Sequence, residues 1–217
     1  MKLCASYQVC SFGQTNRKIC NCPPNQFTSF TKPDTSFHFN NGSEIVLCGY
    51  KETATVKGKK IFTEFILAVC RQDTIIDFWG AIDDYILSLK NDTLFVEELK
   101  ILPTGKQLNY QQTVWKIDKL FFQKGKIVRK FTLNRNIRKY NSDEISKVIN
   151  EYKSTTTNDM EKAELIFDRL FIATISGSQE SRNYFVNFKT KFPHLGEHFN
   201  EEYDIGQKML RQWESRK

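Results

Sequence analysis

Four of the six cysteines offer the first chemistry in the chain. Cys4 and Cys10 lie near the start, Cys20, Cys22, Cys48 and Cys70 follow, and no cysteine comes after Cys70. An even number of thiols confined to one region predicts disulfides that tie a loop-rich N-terminal segment onto a sheet. Cys20 and Cys22 are one residue apart, so a bridge between them would be strained. Each is expected to reach outward, one to Cys48 and the other to Cys70, with both pairings open. In an extended segment the two would point to the same face. A zinc site is the competing chemistry, but C-x-C followed by two widely separated cysteines lacks the paired C-x-x-C spacing of structural zinc. No metal site is therefore expected. Buried free thiols in a cytosolic protein are the remaining alternative.

Catalytic signatures are missing from the sequence: there is no G-x-S-x-G, no phosphate-binding glycine loop and no H-E-x-x-H. The histidines are His38, His194 and His198. The last two stand four apart, a helical metal spacing, but Pro193 and Gly196 mark that stretch as a helix junction. A nucleophile pair of Cys48 or Cys70 with His38 is one that any cysteine-bearing chain offers. Asp73, Asp77, Asp83 and Asp84 surround Phe78-Trp79. Paired carboxylates beside aromatics can perform acid–base work on sugars, and the same residues also describe solvated carboxylates at a strand end. No catalytic residue and no cofactor is assigned; a hydrolase using Asp77, Asp83 or Asp84 is the alternative.

Charge is localised. The chain has 32 basic and 25 acidic residues, a net +7, yet nine basic side chains face only Asp118 between Lys116 and Lys139. Lys124, Lys126, Arg129, Lys130 and Arg135 are the expected contacts for an acidic partner, either a protein or an envelope component. Trp115, Phe121, Phe122, Phe131 and Tyr140 are interleaved with these cations, as in single-strand nucleic-acid binders. Strand alternation should turn many of those rings inward, and no RNP, KH or zinc-finger motif accompanies them. Nucleic acid is the lesser alternative.

The elements that position these residues divide the chain by periodicity. Apolar residues make up 40% and charged residues 26% of the 217, which excludes disorder, collagen and coiled coil. No run approaches the roughly 18 apolar residues of a membrane helix. From about residue 36 to 136 the pattern is strand-like, with candidate strands at 36–40, 44–50, 60–71, 74–78, 85–89, 93–102, 114–122 and 127–134. Asn91-Asp92 and residues 123–126 predict hairpins, and Asn41-Gly42 another turn. After Tyr140 the period becomes 3.6. Asn141 with Glu144, and Asn158 with Glu161, mark helix starts. Helices are expected from about 142 to 152, from 158 to Ser176-Gly177, from 179 to 192 and from 199 to 213. The fold class is therefore α+β: a mostly antiparallel sheet over 15–137, as a meander, sandwich or open barrel, then helices over 138–217 packing on or beside it.

Residues 1–14, with a basic residue after Met1 and small residues at Ser11 and Gly13, resemble the tail of a secretory signal peptide. CNCP at 20–23, LCGY at 47–50, DTIIDFW at 73–79 and IATISG at 172–177 together resemble a group of exported proteins of Bacteroidetes-type bacteria. That resemblance covers most of the chain and implies a periplasmic or cell-envelope location with no assigned activity. The expectation is a non-enzymatic, exported binding protein, in one version an immunity or inhibitor protein that meets an acidic cleft through its basic hairpin.

Overall fold

The computed structural model describes residues 20–27, 29–56, 58–70, 72, 74–156 and 160–215. The signal-like segment 1–14, Asp73 and the cap expected at Asn158 lie outside them.

Turn chemistry sets the sheet. Asn91 and Asp92 take φ of 46° and 60° and join β5 (Asp84–Lys90) to β6 (Thr93–Leu102), with Lys90 opposite Thr93. Lys124 and Gly125, at 51° and 74°, join β7 (Gln111–Gln123) to β8 (Lys126–Leu133) in the same way. Two consecutive positive φ values match the right-handed twist of the flanking strands. With β1 (Thr35–His38), β2 (Glu44–Val56), β3 (Lys59–Val69) and β4 (Thr74–Trp79), these strands form one eight-stranded antiparallel sheet. Its order is β1-β2-β3-β5-β6-β7-β8, with β4 paired to β3. β2 runs past residue 50 because its polar end keeps its ladder with β3, Val56 opposite Lys59.

β4 and β5 share one edge of β3, since Trp79 lies opposite Phe65 and Tyr85 opposite Phe62. Residues 80–83 are thus a detour within what would otherwise be one long strand. The sheet curls around an inner core of Ile45, Leu47, Phe65, Leu67, Leu94, Val96 and Leu120. Phe39 meets Phe122 edge-on at 5.0 Å, and Arg129 of β8 lies over the Trp79 ring of β4 at 5.0 Å. The two ends of the sheet therefore approach one another.

The opposite face of β2 and β3 is also buried. Val46, Cys48, Ile66 and Ala68 pack with Cys20, Cys22 and Phe30 of the segment before β1. Disulfides Cys20–Cys70 and Cys22–Cys48 hold that segment, and Cys22 N donates to Thr31 O at 3.0 Å. Strands covered on both sides read as continuous apolar runs rather than alternation. Crosslinks spanning 50 and 26 residues each remove about 3–4 kcal/mol of chain entropy from the unfolded state. Cys20, Glu44 and Cys70 bring donor atoms within 4.8 Å of one another, but both sulfurs are joined in a disulfide and neither is a thiolate.

The chain then forms α1 (Ser142–Ser154), α2 (Met160–Ile175), α3 (Gln179–Val186), α4 (Phe188–Lys191) and α5 (Gly196–Glu214). The box expected at the start of α1 is present: Glu144 N donates to Asn141 Oδ1 at 2.9 Å and Asn141 N donates to Glu144 Oε2 at 3.0 Å. The single helix expected over 179–192 is broken at Asn187. Phe185 and Phe188, on either side of the break, both pack on Phe167, at 4.5 Å and 5.1 Å. Gly206 brings α5 close to α2, since a Cβ there would stand 2.8 Å from the Phe167 ring. Leu102, Trp115, Leu133 and Tyr140 join this aromatic core to the sheet. Among the described residues no helix is long and apolar enough to cross a membrane.

One half-buried carboxyl gives the helical core a pH dependence. Burial pushes Asp168 up to about 6, with Glu202 and Glu164 adding to the rise against the hydrogen bond from Tyr110 Oη at 3.1 Å. A folded-state value above the unfolded 3.8 means stability that is full below about pH 4 and is lost as pH rises through about 6. Asp168→Asn should remove that loss and raise stability by about 1–2 kcal/mol at pH 8. Thermal melts of both proteins from pH 4 to 8 check this.

Candidate functional site

β7 and β8 carry different chemistry on their two faces. On the inner side, register places Glu98 opposite Lys116 and Asp118 opposite Phe131. Leu99 then faces Val114, so β7 gains one residue at Trp115, and a bulge of this kind re-aims side chains. Trp115 and Lys116, neighbours in sequence, consequently line the same pocket.

An ion-pair ladder crosses this face. Lys100 Nζ pairs with Asp83 and lies 3.9 Å from Glu98; Lys116 Nζ lies 3.5 Å from Glu98 and 3.4 Å from Asp118. Arg129 closes it with a two-point contact, Nε to Asp118 Oδ1 at 3.2 Å and Nη2 to Oδ2 at 3.0 Å, and also pairs with Asp77. Signs alternate along the whole series. Its centre is the driest point: the Asp118 side chain is 3% exposed and that of Asp77 at the far end is 42% exposed. Burial pushes Glu98 above the ordinary carboxylate range, opposed by Lys116 and Lys100. Burial also raises the Tyr85 phenol, helped by Asp83 and Glu98. Arg129 is held more firmly protonated: its hydrogen bonds to Asp118 and Asp77 outweigh its desolvation.

The ladder forms one wall of a pocket of about 700 Å³. The 80–83 detour supplies Ile82 and Asp83, and α5 supplies Ile205, Lys208, Met209 and Gln212 from across the opening. Those four α5 positions repeat at helical spacing and form one stripe. Phe199, Leu210 and Trp213 of α5 enter the core instead.

The outer side of the hairpin places Lys119 directly opposite Lys130 and Gln123 opposite Lys126. Lys130 lies 5.6 Å from the Phe121 ring, and Lys119 lies 5.9 Å from that of Phe95. Lys124 is exposed at the tip. Among the described residues, Lys119, Lys124, Lys126 and Lys130 make no ion pair.

The five cations expected to act together are thus divided. Lys124, Lys126 and Lys130 share the tip and outer side. Arg129 faces the pocket, and Arg135 packs over the Trp213 ring at 4.2 Å. Lys119 completes the outer group and is legible from its place opposite Lys130. Of the candidate carboxylates, Asp83 lines the pocket, Asp77 is tied to Arg129, and Asp84 accepts from Gln112 Nε2 at 2.9 Å. Glu98 and Asp118 were not among the candidates, although Lys116-x-Asp118 on a strand puts both charges on one face. His194 stands before α5 and His198 within it, so the two positions are not on one helix. Cys48 and Cys70 are in disulfides.

Comparison with protein-family models, curated proteins and solved structures found no match.

The graded burial of the ladder makes its members unequal. Asp118→Asn leaves Lys116 and Arg129 without their shared anion and should cost about 2–3 kcal/mol. Asp77→Asn at the open end, where the side chain is 42% exposed, should cost less than about 1 kcal/mol. Urea denaturation of the two variants measures the difference, and equal losses would contradict it.

Proposed function

We propose that this protein is a non-enzymatic, exported binding protein of the bacterial cell envelope that engages an acidic partner protein through the outer side of the β7–β8 hairpin. The observation behind this is the opposed pair Lys119 and Lys130, with Lys126 and Lys124 beyond it and no carboxylate among the described residues paired to any of them. Like charges directly opposite on a sheet are destabilising, so the fold bears an uncompensated cost there that a complementary anionic surface would offset. Phe95 and Phe121 beneath the two amines add apolar contact area. Such a face speeds encounter with an oppositely charged protein, as an immunity or inhibitor protein requires. Two disulfides favour an oxidising compartment, in keeping with export. A hydrolase built on Asp77, Asp83 or Asp84 has less support, because two of those carboxylates are ion-paired and the third bonds Gln112.

The experiment compares wild type with a Lys119→Glu, Lys126→Glu, Lys130→Glu variant, both immobilised and exposed to envelope extract at low and high salt. Wild type should retain an acidic protein in a salt-sensitive manner. The variant should bind that protein roughly thirtyfold more weakly, about 2 kcal/mol, with little salt dependence. Arg129→Glu is unsuited to this purpose because it breaks the ladder. Unchanged retention by the variant rules out the hairpin face. Tight binding of wild type to a single-stranded oligonucleotide at physiological salt, lost in the variant, would support the nucleic-acid alternative instead.

A further inference from the structure

The pocket between the ladder and α5 has a composition that the hairpin does not explain. Three anions and three cations on its wall, Asp83, Lys100, Glu98, Lys116, Asp118 and Arg129, cancel one another. A ligand bearing several charges of one sign would have to strip partners from this series and leave them unpaired, which is expensive in a partly desolvated site. Groups that donate and accept at once suffer no such penalty. A hydroxyl can accept from a lysine and donate to the neighbouring carboxylate without separating the pair.

The opening has the opposite character. Ile82, Ile205 and Phe131 are 86%, 44% and 43% exposed, and all three line this pocket. They make up half of the large exposed hydrophobic side chains among the described residues. Their concentration at one concavity marks a place where apolar surface is to be covered. The volume of about 700 Å³ falls within the usual range for small-molecule sites. Lys208 of α5 lines the same space and makes no ion pair with a described residue, so it is the one cation of the lining without a carboxylate partner there.

A pyranose meets these demands together. Its hydroxyls alternate donor and acceptor along one edge, its C–H face is apolar, and a carboxylate substituent supplies a single negative charge. We propose that this pocket is a binding site for an acidic saccharide of one or two rings, with hydroxyls on the ion-pair ladder, a ring face on Phe131 and the carboxylate at Lys208. This site is independent of the outer hairpin face and stands whether or not that face binds a protein.

The test is calorimetric titration of the folded, oxidised protein with three probes: a disaccharide ending in a hexuronic acid, its neutral hexose counterpart, and a neutral tripeptide of similar size. The uronic disaccharide should bind most tightly, the neutral one at least about fivefold more weakly, and the tripeptide not at all up to about 10 mM, above the millimolar end of measurable affinity. Phe131→Ala, at a position 43% exposed, should weaken both sugars about tenfold. Lys208→Gln should bring the acidic sugar down to the neutral one without affecting the latter. The Lys119, Lys126, Lys130 triple variant should bind both sugars like wild type, which separates this site from the hairpin. Failure of both sugars to bind overturns the proposal. So does binding of the tripeptide as tightly as the sugars, or an acidic preference that survives Lys208→Gln.

Discussion

The extra residue at Trp115 is the constraint on which the rest of the molecule turns. Without it, alternation along β7 would send Trp115 to the side occupied by Ile117 and Lys119. With it, the indole reaches the helical core and contacts Phe171 and Trp213, both at 5.7 Å, and Lys116 stays opposite Glu98. One irregularity therefore docks the helices against the sheet, completes the ion-pair ladder and opens the space between them. A regular strand could do only one of these. Bulges are common where a side chain has to be re-aimed beside a site.

The same hairpin sorts its charges by face. Neighbouring residues Arg129 and Lys130 illustrate this: the first is drawn into a bidentate contact with Asp118, and the second stays over Phe121 facing another lysine. The inner cations are neutralised by carboxylates from β4, β6, β7 and the 80–83 detour. Among the described residues the outer ones have no such neighbours, and their positive charge stays uncompensated. Fixed pairing gives the inner side geometric definition, since each of the three cations is held by two carboxylates. The outer side is long-ranged and sensitive to ionic strength.

Much of the fold was legible because it is encoded locally. Asn91-Asp92 and Lys124-Gly125 are short-range turn signals, and the capping pair Asn141 and Glu144 needs only four residues to be recognised. The α+β division followed from a change of period after Tyr140. Other features were set by partners distant in sequence. Cys20 chooses Cys70, and Cys22 chooses Cys48, only once β2 and β3 lie side by side. The break at Asn187 has no glycine or proline beside it, and the helical period runs through it, so the sequence carries no sign of it. Arg129 was grouped with its neighbours because counting charge along the chain ignores which face a residue takes. Glu98 and Asp118 escaped notice for a related reason: their partner Lys116 is defined by register, and that register shifts at the bulge.

Trp115 and Trp213 lie with rings 5.7 Å apart and 23° from parallel, one fixed in the sheet and the other near the end of the chain, capped by the Arg135 guanidinium. Two indoles this close and this well held couple their electronic transitions. The protein therefore has an intrinsic chromophore pair whose near-ultraviolet circular dichroism depends on fixed tertiary packing. Any event that lifts the last helix from the sheet, whether ligand entry or partial unfolding, would be written in that spectrum without a label being added.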